Sequence, residues 1–192
     1  MSSRYRDKLV CLEVSFLITL LAFFLLDCLV VKAVVVNGNS MYPTLHNNDF
    51  LFIKEFMFNP VAGDIVLIRT KDRNIGENYI LKRIIAIEGQ TVVIDYQGNG
   101  IYIDGICIDE PYINYEDSDP MSIPEDYPDS HFVVPEGCFF VLGDNRNVSL
   151  DSRSKIIGMV ECKDVRGKVW TKIRIPILNL IKESTYTRFT SA

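Results

Sequence analysis

The chain has 192 residues, 48% of them hydrophobic, which is enough for one domain with a sizeable core. Its formal net charge is −5, and no basic arm or aromatic-basic motif is present, so nucleic acid is excluded as an expected partner. The charge is uneven: between Arg83 and Arg146 there is no Lys or Arg against 13 Asp and Glu, whereas from Arg146 onward ten basic residues face four acidic ones. The acidic middle reads as a solvated, loop-rich surface. Its densest part, "DEPYINYEDSDP", lacks the glycine and ligand spacing of a calcium loop, so no metal and no cofactor is expected.

The first element is Leu9 to Val31, "LVCLEVSFLITLLAFFLLDCLVV", 23 residues that as a helix are long enough to cross a hydrocarbon core of roughly 30 Å. Glu13 and Asp27 lie near its two ends, where polar surroundings are within reach. Arg4, Arg6 and Lys8 precede it, and the positive-inside rule then puts the N-terminus in the cytoplasm and the bulk of the chain outside. The run is longer than a signal-peptide core and no small-x-small site follows it, so an uncleaved single-pass anchor is the expectation. This divides the chain into a cytoplasmic stub (1–8), a transmembrane anchor (9–31) and an extracytoplasmic domain (32–192).

Beyond Lys32 the pattern is β-rich. Strands are predicted at Phe50–Lys54, Asp64–Thr70, Tyr79–Ile87, Thr91–Tyr96, Gly100–Asp104, Phe132–Val134, Phe139–Leu142 and Val169–Ile173. "YQGNGIYIDG" reads as a hairpin, and Asp109–Ser130, with its prolines and acids, as a long loop. No long amphipathic helical pattern appears. The five cysteines, Cys11, Cys28, Cys107, Cys138 and Cys162, show neither metal-ligand nor redox spacing; a Cys107–Cys138 bridge and buried free thiols are both open.

Three patches carry chemistry. In "VNGNSMYPTLHNND", Ser40 sits on a turn stiffened by Pro43. A serine needs a base to act as a nucleophile. The two histidines, His46 and His131, lack an orienting carboxylate motif. In "NYILKRIIAIEG" strand alternation gives Lys82 the same face as Ile80, Ile84 and Ala86, and a desolvated lysine amine can serve as the base. An edge lysine reaching solvent is the plainer reading of the same pattern. The third patch, "LGDNRNVSLDSRS", places many polar side chains just after the apolar "CFFVL"; an Asx-rich turn with surface ion pairs would also explain it.

Together "NSMYPTL", "GDIV", "YILKRIIAIEG", "GDNRNVSLDSR" and the tail "GKVWTKIRIPILNL", behind an N-terminal anchor, resemble in order and spacing the type I signal peptidases, in their short single-anchor Gram-positive form. The resemblance covers nearly the whole chain. It implies a mainly β fold, a β-barrel-like catalytic domain with an inserted β region at about 90–135. It also implies a membrane-bound serine endopeptidase that removes signal peptides from secreted preproteins, cutting after small residues at −3 and −1. Ser40 would be the nucleophile, with its backbone N–H in the oxyanion hole, and Lys82 the general base. Ser149 would orient the lysine amine. Arg83, Asp144, Arg146, Asp151 and Arg153 would form the supporting polar framework, with Arg83 paired to Asp144. Val34, Val36, Met41, Leu45, Ile80 and Leu81 would line pockets for small substrate side chains. The implied partners are signal peptides, the lipid bilayer and a secretion translocon.

Two positions depart from the family pattern: Gly38 stands where some relatives carry an oxyanion-binding serine, and Val148 where Asn is commoner. A self-cleaving Ser/Lys protease related to the SOS-response repressors would carry a DNA-binding segment in place of the anchor. A non-catalytic membrane-tethered relative would lack the serine or the lysine.

Overall fold

The computed structural model describes residues 3–55, 59–70, 79–113, 120–173 and 188–190. Residues 1–2 of the stub and residues 174–180 of the tail motif fall outside this set. The chain divides into two units, Met1–Lys32 and Ala33–Ala192.

The first unit is a helix, α1 (Ser3–Val30), of 28 residues. Its described apolar side chains, among them Leu12, Phe16 and Phe23, are exposed. The expected transmembrane anchor over 9–31 is not shown: among the described residues no helix is long and apolar enough to cross a membrane. The side chains of residues 24–30, Asp27 included, are outside the description.

The second unit is built from strands: β1 (Val31–Asn37), β2 (Phe50–Lys54), β3 (Ile65–Arg69), β4 (Tyr79–Ile87), β5 (Thr91–Asp95), β6 (Gly100–Ile103), β7 (Ile106–Cys107), β8 (His131–Val133), β9 (Cys138–Leu142), β10 (Val160–Glu161), β11 (Val165–Ile173) and β12 (Arg188–Thr190). The mainly β expectation therefore stands, and so do the eight predicted strands, within a few residues at their ends. Among the described residues the strands form two sheets, and in the larger one β3, at the end of the order, pairs back to β4, so that β4, β12, β1, β2, β11 and β3 form a ring of pairings with β9 and β10 branching from it. The larger runs β10-β9-β4-β12-β1-β2-β11-β3, with a further pairing of β3 to β4; the smaller runs β7-β6-β5-β8. The length of β4 explains the branching. Its first half, Tyr79 to Arg83, pairs with β3, and its second half, from Arg83 to Ile87, pairs with β9, which carries β10 outward.

β4 is buried from Ile80 to Ala86, because both of its faces are covered. Such a strand reads as a continuous apolar run, and "ILKRIIAI" is one, interrupted only by Lys82 and Arg83. Its faces feed different clusters: Leu81 packs with Val34, Val36, Met41 and Leu45, while Ile80 and Ile84 pack with Val66, Ile68 and Val141. A third cluster, under the smaller sheet, holds Ile94, Ile101, Phe132 and Phe140. Each fully buried side chain of this kind contributes roughly 1.5–3 kcal/mol.

Strands β1, β7, β10 and β12 were not predicted. β12 lies between β1 and β4 and is parallel to both, with Thr190 opposite Asn37 on one side and Ile80 on the other. The described parts of the Asp109–Ser130 loop hold no helix or strand. Cys107 and Cys138 are free thiols, which removes the bridge between them.

Candidate active site

Ser40 follows β1 by three residues, on a turn that needs unusual backbone at Gly38, where φ is +102°. In that left-handed region a side chain is strained, so a serine there would fit poorly. The Tyr42–Pro43 bond is cis. Main-chain bonds close the turn: Leu45 N–H donates to the Met41 carbonyl, and Asn145 N–H donates to the Ser40 carbonyl at 2.9 Å. The second of these ties the serine turn to the loop after β9.

Lys82, from the middle of β4, is 0% exposed, and its Nζ lies 2.8 Å from Ser40 Oγ in a hydrogen bond. Ser40 is itself 1% exposed. Desolvation pushes the Lys82 amine down from 10.5 to about 8; Asp151 and Asp144 pull it up and Arg153 pushes it further down. Near neutral to mildly alkaline pH a share of the amine is thus unprotonated, and its lone pair can accept the Ser40 hydroxyl proton. The arrangement can perform acyl transfer: Oγ attacks a carbonyl, the amine holds the proton, then returns it to a leaving amine.

Buried guanidinium–carboxylate pairs surround the two. Arg83 binds Asp144 through Nε at 2.8 Å and Nη2 at 2.6 Å, and its Nη1 donates to the Gly63 carbonyl. Arg153 binds Asp151 at 2.8 and 2.9 Å. Burial works against the ionised Asp151, but the Arg153 guanidinium holds it below the usual carboxylate range. Asp151 also accepts the Gly143 N–H. Gly143 is glycine for want of space: a Cβ there would fall 2.5 Å from the Ser40 carbonyl oxygen and collide with the Ser149 hydroxyl.

The hydrogen bond expected from Ser149 to the lysine amine is not made. Ser149 Oγ is buried without a hydrogen-bond partner. It borders the Ser40 carbonyl and Gly143 instead, as the crowding at that glycine shows. The six pocket residues, Val34, Val36, Met41, Leu45, Ile80 and Leu81, are all at most 2% exposed. Val34, Val36, Met41, Leu45 and Leu81 pack together in one buried apolar cluster and Ile80 in another. The histidines stand apart from the pair: His46 packs edge-on against Tyr42 and lies 3.7 Å from Asp49, and His131 contacts Ser130.

Sequence reasoning missed several contributors. Thr44 donates to Asp144 at 2.5 Å. Glu110 grips Arg146 with both oxygens at 2.6 and 3.0 Å, and Tyr112 covers the Arg83 guanidinium at 3.8 Å. Thr44 belongs to the stretch "NSMYPTL" but no spacing distinguishes it, and Glu110 and Tyr112 sit in a run of acids. Among the described residues no cluster of metal-binding side chains occurs.

The family model described as "Signal peptidase, peptidase S26" matches residues 9–173. A signal peptidase I of Bacillus licheniformis is 34% identical over 138 residues, spanning 69% of this chain and 71% of its own length. A signal peptidase IB of Staphylococcus aureus is 29% identical over 183 residues, spanning 88% of this chain and 89% of its own. The crystal structure of a signal peptidase I from Enterococcus faecalis superposes with a TM-score of 0.46 at 29% identity, covering 59% of this chain and 98% of the other. A match over most of the chain, around a serine turn and a buried lysine, leads to one conclusion: the chain belongs to the signal peptidase family, peptidase S26, as a serine endopeptidase of the signal peptidase I kind.

Proposed function

We propose that Ser40 and Lys82 form the catalytic dyad of this peptidase, and that it removes signal peptides at the outer face of a membrane. The observation that carries the dyad is the 2.8 Å contact between a fully buried lysine amine and a buried serine hydroxyl. No histidine approaches that serine among the described contacts, so the lysine is the base at hand. The substrate would enter as an extended peptide. The gap between β1 and β4 admits a strand parallel to both, since β12 occupies it in that way. Peptide recognition by strand addition uses main-chain bonds for affinity and the flanking side chains for selection. Here those flanks are Val34, Val36, Ile80 and Leu81, whose bulk favours small substrate side chains at −3 and −1.

Anchoring rests on the sequence and the helix backbone. α1 is 28 residues long, about 42 Å at 1.5 Å per residue, and its described apolar side chains have no protein cover. Ser40 follows the end of the apolar run at Val31 by nine residues, which tethers the nucleophile close to the lipid surface where a signal peptide is cut. The N-terminus would be cytoplasmic, the domain extracytoplasmic, and a secretion translocon the neighbour that delivers substrate.

The test is cleavage of a preprotein by the purified full-length chain in detergent, with the cut mapped by mass spectrometry. Wild type should cut after a small residue, while Ser40→Ala and Lys82→Arg should be inert, because a guanidinium does not give up its proton in proteins. Retained cleavage in Lys82→Arg would refute the dyad.

A further inference from the structure

The acidic segment after β7 is joined to the catalytic core by two side chains. Glu110 is 6% exposed and accepts two hydrogen bonds from the Arg146 guanidinium, which is likewise 6% exposed. Arg146 in turn donates through Nε to the Gly143 carbonyl. Tyr112 donates its hydroxyl to Glu110 at 2.6 Å and lays its ring over Arg83, 3.8 Å from the guanidinium carbon. Burial and that hydrogen bond to Glu110 hold the phenol well above its usual range, so it remains a donor.

The two arginines so held are the ones that fix the active-site loop. Arg83 follows the lysine base directly on β4 and clamps Asp144. Arg146 holds Gly143, and Asn145 between them donates to the Ser40 carbonyl. The two side chains thus meet both ends of the 143–146 loop at once. An acidic loop has no need of a buried glutamate for solubility, and burying a charge is costly without a function or a partner.

We propose that Glu110 and Tyr112 are positioning residues for the peptidase reaction: acting through Arg146 and Arg83, they fix the 143–146 loop against Ser40 and set its distance from Lys82. This rests on the dyad reading above. The loop-rich insertion then takes part in turnover, although neither residue touches the reacting atoms. A displacement of about 1 Å at a reacting pair costs up to about a hundredfold in rate, so loosening this brace should appear in kcat rather than KM.

Two variants separate positioning from folding. Glu110→Gln leaves the Arg146 charge without its carboxylate; Tyr112→Leu keeps that ion pair and uncovers only Arg83. Both should lower kcat about tenfold, with KM within about twofold, at temperatures well below the measured unfolding of each variant. Tyr112→Phe, which keeps the ring, should recover most of the loss seen in Tyr112→Leu.

A second readout needs no substrate: the titration of Lys82 followed by carbon NMR at its ε position in the full-length chain. The groups facing this amine are Ser40, Asp151, Asp144 and Arg153, with Arg83 next to it on the strand. With Glu110→Gln the excess positive charge at Arg146 should move the titration to lower pH. Unchanged kcat in both folded variants, or losses that merely track the unfolded fraction, would overturn the proposal. A wild type inert toward preproteins would refute the dyad reading instead, and the lysine titration would then decide: unmoved by Glu110→Gln, it overturns the brace.

Discussion

The two sheets of the second unit handle charge in opposite ways. Around the larger one, Lys82, Arg83, Asp144, Arg146, Asp151 and Arg153 are all buried, at most 9% exposed. Beneath the smaller one the buried set is apolar, with Val92, Ile94, Ile101 and Phe132 inside, while its polar contacts, such as Asp104 with Gln90 and Thr91, lie at the surface. Buried ions cost several kcal/mol each in desolvation and recover it only through well-formed pairs. The larger sheet carries that cost around a lysine amine that desolvation brings down to about 8. The smaller sheet supplies stability at no such cost and delivers the Glu110–Tyr112 segment to the site.

The largest expected break in this contrast comes from Lys82→Met. Cleavage should vanish, yet the fold should gain stability. The unfolded chain holds the lysine proton up to about 10.5, the folded chain only up to about 8. Between those values the unfolded state binds more protons, so wild-type stability rises with pH across the window and bears the full cost below it. At pH 7 the variant should therefore be more stable by about 3 kcal/mol, and urea unfolding at pH 7 and pH 10 should show the difference shrinking. A variant less stable than wild type at pH 7 would mean that the amine is not a burden on the fold.

Gly143→Ala should act next most strongly. The added methyl displaces the Ser40 carbonyl or the Ser149 hydroxyl, and a shift of that size costs about a hundredfold in kcat/KM. Steady-state cleavage of a short peptide would check this; full activity would show that the loop after β9 gives way freely. In the smaller sheet, Phe132→Ala removes a ring packed at 4.9 Å from Phe140. It should cost about 3–5 kcal/mol in stability while the folded fraction keeps its kcat. A kcat loss beyond the unfolded fraction would erase the division of labour between the sheets. The smallest effect belongs to the pair His46→Ala with His131→Ala, which should hold activity within about threefold, since a typical general base contributes about 10²–10⁴-fold. Total loss would point to a histidine base.

The meeting of Ser40 and Lys82 was legible in the sequence because both residues sit in short motifs whose order is informative. Lys82 stood out as the polar interruption of an apolar strand. Alternation puts Lys82 on one face and Arg83 with Leu81 and Ile85 on the other, and both charged side chains are buried, Arg83 bound to Asp144. Glu110 escaped because composition averages over a segment, and a run of acids reads as solvated whichever one of them turns inward. β1 escaped for a different reason. "VKAVVVN" continues the apolar run of α1, and β-branched residues alone do not mark where a helix yields to a strand. The branching at β4 escaped as well, since no local pattern shows that one strand will pair with three neighbours.

The position of β12 has a consequence for handling the protein. A strand of three residues lies between the facing edges of β1 and β4 and pairs with both. Unpaired edges are templates for joining other chains. A chain shortened before Arg188 would expose two such edges, flanked by Val34, Val36, Ile80 and Leu81, and would lose solubility before it lost its fold. An added extended peptide would restore it, and because strand pairing runs through the main chain, peptides of unrelated sequence would serve.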